Sequence, residues 1–466
     1  MIRQWQLRTA FAARLSEMYG REVPAYTTLV DVSREVNEDV LRARGADAER
    51  LGSIGRVTAE RHGAIRVGTP AELRQVARVF GALGMRPVGF YDLRETAASA
   101  LPVVSTAFRP VAADELARNP FRVFTSLLTV DDPRFFDAGL RTRLTAFLAG
   151  RSLFPPELLA LADRAEAEGE LPQDAAERFL HLAVHAFELS AEPVDRAWYE
   201  TLARVSAVAA DIGGVRSTHI NHLTPRVLDI DELYRRMTAR GIEMIDTIQG
   251  PPRWPGPDVL LRQTSFRALA EPRALRTPDG HVTRGALRVR FGEVEARGIA
   301  LTHEGRALYD RLLALVDERA AHRPPADRDG IARALWTEHL PATERELAAQ
   351  GLGFFTYDAV PERPLDGGSP PSGIGALLRD GWVRAEPIVY EDFLPRSAAG
   401  IFQSNLGDKG SRNSGADGVS YDAAWLAGAL ERDVLDPFAL YGREQSRSLD
   451  RVAAALGLPG PPAPGA

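Results

Sequence analysis

Two hexapeptides decide the fold of this chain, HGAIRV at residues 62–67 and HLTPRV at residues 222–227. Each runs from a histidine to an arginine four residues later and ends in valine, a pattern that predicts a short β-strand. Five residues beyond each valine a Glu-Leu pair, at 72–73 and at 232–233, opens a helical pattern. Both stretches therefore predict a strand followed by a helix.

The correspondence extends beyond these two units. Further along, STAFR at residues 105–109 corresponds to QTSFR at 263–267, and the offsets are nearly constant, since 222 − 62 = 160 and 264 − 106 = 158. Matches that keep their order favour an internal duplication, in which each copy reads as strand, helix and about three strands. The alternative is two unrelated strand–helix units of similar composition. Duplication predicts an α+β fold in which two paired βαβββ modules form a central sheet around a shared cleft.

The pattern of apolar residues divides the chain into six regions. We expect an N-terminal helical segment (1–54), a first βαβββ module (55–132), a helical insertion (133–212), a second βαβββ module (213–302), a C-terminal helical and mixed region that closes the site (303–456) and a flexible Pro/Gly/Ala-rich tail (457–466).

Composition excludes several classes of site and partner. The net charge of -6 over 466 residues gives no reason to expect nucleic acid or an anionic membrane as partner. No apolar run approaches the roughly 20 residues that span a bilayer, and the amphipathic N-terminus does not resemble a signal peptide, so we expect a cytoplasmic protein. Because the chain has no cysteine, thiolate nucleophiles, disulfides and iron–sulfur clusters are excluded. Any metal must be bound by histidine and carboxylate.

The two histidines that begin the hexapeptides are candidate metal ligands. On a strand, residues two apart point to the same face, so His62 shares a face with Ala64 and Arg66, and His222 shares one with Thr224 and Arg226. Duplicated strands would each present one imidazole to the common cleft. A lone histidine on a half-buried strand is more often a structural residue than a metal ligand. Because the two histidines occupy equivalent positions of the repeat, the two interpretations carry about equal weight.

A third ligand is expected from the alternating run LRVRFGEVEARGIAL at residues 287–301. Glu293 is the candidate, although Glu295 has the same strand parity and alternation does not separate the two. Aligning Phe124 with Phe291 places Ser126 opposite Glu293, so duplication predicts two histidines and one carboxylate. Such a set leaves metal positions open and is used by Fe(II) oxygenases, while Mn, Co, Ni and Zn also accept these ligands.

Other histidines offer weaker alternatives. His219 lies three residues before His222, which puts it on the opposite face of a strand. His181 and His185 stand four apart on a predicted helix, a spacing that can chelate a metal, but the apolar residues around them suggest a packing face.

The arginine of the first hexapeptide is a candidate for substrate binding. The guanidinium of Arg66 would bind a carboxylate through two parallel charge-assisted hydrogen bonds. A salt bridge to an acidic neighbour is an equal alternative.

Several blocks of the sequence resemble one known family. They are ERHGAIRVGT (60–69), PVGFYDL (87–93), HINHLTPR (219–226), LLRQTSF (260–266), YEDFLP (390–395) and IFQSNLG (401–407). Together they resemble the 2-oxoadipate dioxygenase/decarboxylase family, a divergent branch of the vicinal oxygen chelate superfamily. The resemblance extends from about residue 20 to residue 450, so it covers nearly the whole chain.

This resemblance implies a particular site. It implies Fe(II) bound by His62, His222 and Glu293, with His219 and Glu295 as non-ligands and with chemistry centred on the metal rather than on a separate acid or base. It further implies that Arg66 holds the substrate, assisted by the segment at Arg396 and Ser397. Position 396 departs from the family, which often has a small apolar residue there, and this matters only if the side chain enters the pocket.

The implied reaction converts 2-oxoadipate and O₂ to 2-hydroxyglutarate and CO₂. The 2-oxo dicarboxylate would chelate iron through its carboxylate and keto oxygens, so no organic cofactor is expected. Two other functions compete with this one. The first is a non-oxidative isomerase or lyase of the same superfamily that uses Mn, Ni or Zn as a Lewis acid. The second is a protein that binds a small dicarboxylate without turning it over.

Overall fold

The computed structural model describes residues 1–95, 101–324, 327–360, 369–406, 412–413 and 415–463. The α-helices are α1 (Gln4–Glu22), α2 (Pro24–Arg44), α3 (Ile54–Ala59), α4 (Pro70–Ala82), α5 (Ala113–Arg118), α6 (Ala138–Ala149), α7 (Pro156–Glu168), α8 (Gln173–His185), α9 (Arg196–Ala203), α10 (Ala207–Gly213), α11 (Ile230–Ala239), α12 (His303–Ala320), α13 (Arg328–His339), α14 (Glu344–Ala349), α15 (Ile374–Arg379), α16 (Pro395–Leu406), α17 (Ala423–Leu430) and α18 (Pro437–Leu456). The strands are β1 (Ile2–Arg3), β2 (Arg61–Val67), β3 (Arg86–Asp92), β4 (Val103–Arg109), β5 (Arg122–Leu128), β6 (Glu170–Leu171), β7 (Val194–Asp195), β8 (His222–Pro225), β9 (Leu261–Ser265), β10 (Glu271–Arg276), β11 (Val282–Leu287), β12 (Glu293–Arg297), β13 (Phe355–Ala359) and β14 (Val383–Pro387).

The first hexapeptide forms β2, near the middle of a five-stranded sheet with the order β3-β4-β5-β2-β8. Strand β2 runs parallel to β5 and antiparallel to β8. The helix after β2 begins at Pro70, two residues before the Glu-Leu pair that predicted it. Thr69 caps it, because its hydroxyl accepts from the backbone N–H of Glu72 and its own N–H donates to the Glu72 carboxylate. The order strand, helix and three strands is therefore complete in this part of the chain.

The second hexapeptide forms β8, and the strands after it are shorter and more interrupted. Strand β9 pairs antiparallel with β12 over five residue pairs. A single parallel bridge between Arg226 and Glu295 joins β12 to the end of β8. The hairpin of β10 and β11 is inserted between β9 and β12 and pairs with β7 of the helical insertion. The coarse expectation of a mixed α/β fold is confirmed, while the detailed arrangement of two modules stays a prediction.

Two apolar clusters hold these elements together. The larger one lies around the five-stranded sheet and includes residues of α1, α2 and α4 and of the helices between β5 and β8. Phe11 and Phe121 meet edge to face within it, with ring centroids 5.8 Å apart. The second cluster lies in the C-terminal region, where Tyr309 meets the fully buried Trp336 edge to face at 6.0 Å. Burying an aromatic side chain of this kind contributes roughly 1.5–3 kcal/mol.

Part of the C-terminal tail pairs with an earlier segment of the chain. Residues 464–466 of the predicted flexible tail lie outside the described part of the chain, whereas Ala463 forms a parallel β-bridge with Gly373. Among the described helices, none is both long and apolar enough to cross a membrane.

Candidate metal centre

The structure brings His62, His222 and Glu293 together. Each offers one potential ligand atom, and the three atoms lie within 4.8 Å of one another. Nε2 of His62 is 3.7 Å from Oε1 of Glu293, and Nδ1 of His222 is 3.4 Å from Oε2 of the same carboxyl group. All three residues are buried, with exposed fractions of 1%, 3% and 4%.

Strand register explains why the two imidazoles meet. In the antiparallel pairing of β2 with β8, Ala64 lies directly opposite His222 and His62 lies opposite Thr224. Residues that face each other across an antiparallel pair project to the same side of the sheet. The two histidines are therefore neighbours on one face, and their ring centroids are 5.5 Å apart.

The electrostatics of this cluster suit a cation. Burial lowers the pKa of His62, and burial together with the nearby His62 and Arg66 lowers the pKa of His222 well below its usual value. Burial and the neighbouring Glu295 carboxylate raise the pKa of Glu293 well above its usual range. With no cation among them, burial thus favours the uncharged form of each of the three groups. A divalent cation would restore the charge of the carboxylate and use both imidazole lone pairs.

The second glutamate of β12 contacts the other side of the same imidazole. Oε2 of Glu295 lies 3.0 Å from Nδ1 of His62, so Nε2 is left to face Glu293. Arg297 donates to both oxygens of Glu295, at 2.7 and 2.9 Å. Burial opposes the ionisation of Glu295, but Arg297 and His62 hold its pKa well below the usual range. A carboxylate on the far nitrogen of a ligating histidine fixes its tautomer and orientation.

A buried network of charges lies behind Glu295, and the sequence patterns did not reveal it. Arg122 bonds Glu60 at 2.5 Å and Glu391 at 2.6 Å, and Arg226 bonds Glu60 at 2.9 Å. Although burial disfavours its ionised form, Glu60 has a pKa lowered to about 2, mainly by Arg226 and Arg122. The only signal in the sequence is a charged residue at the inward position of otherwise apolar strands, as in FRVFT.

Aromatic rings cover the histidines. The ring of His222 stacks on Phe291, with centroids 5.1 Å apart and planes 17° apart. Phe393 meets His62 edge to face at 5.0 Å and also contacts Phe124 at 4.9 Å. Apolar walls of this kind control the access of solvent to a metal site.

Arg66 forms the salt bridge that was one of its two expected roles. It is 4% exposed, and its Nη1 pairs with Oδ2 of Asp211 at 2.5 Å, so the salt bridge is present. Its Nε and Nη2 are buried and have no hydrogen-bond partner among the described residues. Half of the guanidinium thus remains available for a ligand.

Arg396 and Ser397, the other predicted substrate-binding residues, differ in their exposure to solvent. The side chain of Arg396 is 54% exposed and its Nη2 lies 2.6 Å from Oδ2 of Asp317 on α12, whereas Ser397 is buried. The guanidinium of Arg396 is therefore engaged at the protein surface. A contact of the 396–397 segment with substrate through Ser397 or the backbone stays a prediction.

The alternative histidines lie elsewhere. His219 is buried, with Nε2 3.4 Å from Oδ1 of Asp211 and 3.1 Å from the side-chain nitrogen of Asn221. His181 and His185 are exposed on α8, and His185 contacts Glu188 at 2.7 Å. The packing-face interpretation of this pair is wrong, because α8 turns both imidazoles to solvent.

The chain is similar over nearly its full length to proteins of one kind. The family model described as 2-oxoadipate dioxygenase/decarboxylase matches residues 11–405. The 2-oxoadipate dioxygenase/decarboxylase of Mycobacterium tuberculosis is 59% identical over 436 residues, which cover 94% of this chain and 95% of the relative. That of Pseudomonas putida is 41% identical over 469 residues and 97% of each chain. The crystal structure of the Pseudomonas putida hydroxyglutarate synthase in complex with 2-oxoadipate superposes with a TM-score of 0.83 at 38% identity, covering 98% of this chain and 99% of that one.

Replacement of Glu295 tests its contact with His62. We expect Glu295→Gln to weaken the binding of a divalent metal roughly 10- to 100-fold, because the imidazole loses its anionic partner. Competition with a chelator on folded protein measures this affinity. Glu304→Gln, on the exposed side of α12, is the matched control and should leave the affinity unchanged. Wild-type affinity in Glu295→Gln would contradict the assignment.

Proposed function

This chain belongs to the 2-oxoadipate dioxygenase/decarboxylase family, and on that premise we propose that it binds Fe(II) through His62, His222 and Glu293 to convert 2-oxoadipate and O₂ into 2-hydroxyglutarate and CO₂. One observation carries the proposal: potential ligand atoms of two imidazoles and one carboxyl group, all on buried residues, lie within 4.8 Å of one another. Two histidines and a carboxylate on one side of a metal leave positions open for substrate and O₂.

The overall reaction balances without any further reactant. The bond between C1 and C2 of 2-oxoadipate breaks and C1 leaves as CO₂. One oxygen atom of O₂ enters the new carboxylate at C2 and the other enters the hydroxyl group at C3. Bound iron supplies the redox chemistry between O₂ and the 2-oxo acid. Because the dianionic substrate gives a dianionic product, no net proton is taken up or released, and no separate acid or base is required.

The two ends of the substrate are bound at different places. The 2-oxo carboxylate end would lie at His62, His222 and Glu293. Arg66 lies four residues after His62 on β2, which separates their Cα atoms by roughly 13 Å. Its free Nε and Nη2 would bind the distal carboxylate through two charge-assisted hydrogen bonds.

The surrounding side chains would orient the substrate and exclude water. Phe291 and Phe393 contact the two imidazoles directly. Glu295 would hold the His62 ring, and the buried Arg122 and Arg297 would in turn hold Glu295. A fixed site with little free water favours productive orientation and limits side reactions.

The proposal includes the origin of the site by duplication. It is supported by strand order, because β2 runs parallel to the last strand of its unit, β5, and β8 meets β12 by a parallel bridge. In each unit the preceding strand, β4 or β9, is antiparallel to the last one. Two such βαβββ modules would contribute one histidine each.

A cytoplasmic location is also proposed, in keeping with the cysteine-free, acidic composition.

Oxygen consumption tests the reaction. Enzyme, Fe(II) and 2-oxoadipate are mixed without oxygen, and air is then admitted. We expect O₂ uptake equal to CO₂ release, loss of both with a chelator and recovery with Fe(II). Turnover that persists without oxygen would instead indicate an isomerase or lyase. Binding of 2-oxoadipate without turnover, unaffected by the chelator, would indicate a dicarboxylate-binding protein.

Substitution of the ligands tests the site. His62→Ala and Glu293→Ala should each lower bound iron and turnover by more than about 100-fold, since even the outer partners of metal ligands account for 10- to 100-fold. Metal analysis and oxygen uptake measure the two effects. The exposed His281 provides the matched control His281→Ala, which should behave as wild type. Full iron content in His62→Ala would contradict the ligand assignment.

Substitution of Arg66 tests the second end of the site. Arg66→Met keeps an unbranched side chain but removes the guanidinium and with it both hydrogen bonds, so we expect KM for 2-oxoadipate to rise roughly 10- to 100-fold. The content of iron should remain that of the wild type. Steady-state oxygen uptake against substrate concentration gives KM. An unchanged KM would show that Arg66 serves only its salt bridge with Asp211.

A further inference from the structure

The partner of Arg66 comes from a distant part of the chain. Asp211 lies on α10, in the helical insertion between the two hexapeptides, and is 145 positions from Arg66. It is 5% exposed and bonds only one arm of the guanidinium, Nη1. The helical insertion contributes no strand to the five-stranded sheet, yet it contacts Arg66 at the proposed substrate site.

Asp211 has further contacts in the loop before β8. Asn221 donates from its side-chain nitrogen to Oδ2 of Asp211, the oxygen that also pairs with Arg66, at 2.9 Å, and Nε2 of His219 lies 3.4 Å from Oδ1. The same loop is tied back to β2, because the hydroxyl of Thr218 donates to the backbone carbonyl of Arg66 at 2.9 Å. The carboxylate is therefore part of a fixed frame rather than a mobile counter-ion.

The guanidinium is also restrained on its flat face. The ring of Phe402, on α16, lies 5.0 Å from the central carbon of Arg66, a distance typical of a cation–π contact. With Nη1 engaged and this face covered, Nε and Nη2 remain on one free edge of the guanidinium. Two buried, charged donors without a partner among the described residues are costly, and because they share one edge of the guanidinium, a single carboxylate could accept from both.

We propose that Asp211 is a positioning residue for substrate selection: it fixes Arg66 so that the Nε–Nη2 edge receives the distal carboxylate of a dicarboxylic 2-oxo acid. This inference rests on the proposed function. A carboxylate accepts from that edge in a planar, bidentate arrangement that a freely rotating guanidinium would adopt only part of the time. A 2-oxo acid with a methyl group at the distal end leaves both donors unpaired and is rejected.

The test compares two ligands of equal length. 2-Oxoadipate and 2-oxohexanoate differ only in the distal group, carboxylate against methyl. Their binding to the Fe(II)-loaded enzyme is measured by calorimetry without oxygen, and their kcat/KM values by oxygen uptake. In Asp211→Asn we expect the preference for 2-oxoadipate to fall roughly 10-fold or more, through weaker binding of 2-oxoadipate. The binding of 2-oxohexanoate and the iron content should stay at wild-type values.

Two further variants separate positioning from a structural role. In an Arg66→Met background, Asp211→Asn should change the preference no further, because the two residues act as a unit. Asp132 provides the matched control, since it is a buried carboxylate paired with Arg94 and Arg134. Asp132→Asn should leave the preference unchanged. If Asp211→Asn does not fold, Asp211→Ser replaces it in the same comparison.

Three results obtained with Asp211→Asn would overturn the inference. They are an unchanged preference in Asp211→Asn, tighter binding of 2-oxoadipate by that variant, and an equal loss of affinity for both acids. Failure of the proposed function gives a different result, namely wild-type enzyme that consumes no oxygen with 2-oxoadipate. Even then the anaerobic binding preference decides the role of Asp211, and wild-type protein that binds neither acid would overturn both.

Discussion

The antiparallel pairing of β2 with β8 is the contact on which the rest of the site depends. It sets Ala64 opposite His222, and so places both candidate histidines on one face, two residues apart in register. Because side chains alternate along a strand, a slip of one residue would turn one histidine to the opposite face and abolish the cluster. The backbone N–H of Asn221, which donates to the carbonyl of Ala64 at 2.8 Å, extends the pairing beyond the strand and helps to fix its register.

The buried charged residues near this strand pair orient side chains of the candidate site more than they stabilise the fold. Glu60, Arg122, Arg226 and Glu391 are all buried, and buried ion pairs are often no more stabilising than apolar residues of similar volume. Their value here is orientation, because Arg122 also lies 3.8 Å from Glu295, which contacts His62. A carboxylate held in this way keeps the imidazole in one orientation and one tautomer.

Two helices outside the strands place side chains against Arg66. The insertion supplies Asp211 from α10, and α16 supplies Phe402 against the face of Arg66. Asn405 anchors α16 to the sheet, since its amide donates to the hydroxyl of Ser265 at 2.7 Å and accepts from the backbone of Ala268 at 2.9 Å. Segments that are distant in the sequence thus surround the strands that carry the candidate metal centre and Arg66.

Local sequence patterns were enough to predict two similar strand–helix units and which residues of each strand share a face. Strand periodicity and two similar hexapeptides identified His62, His222 and Arg66, because local alternation decides which side chains share a face. Alternation did not separate Glu293 from Glu295, which have the same parity. In the structure Glu293 approaches Nε2 of His62 and Nδ1 of His222, whereas Glu295 approaches Nδ1 of His62 and pairs with Arg297. The sequence analysis also mistook two solvent-facing histidines on α8 for packing residues. The positions of these side chains, and the pairing of Arg66 with Asp211, are seen only in the folded chain, because contacts between residues 145 positions apart depend on how the helices pack and not on any local pattern.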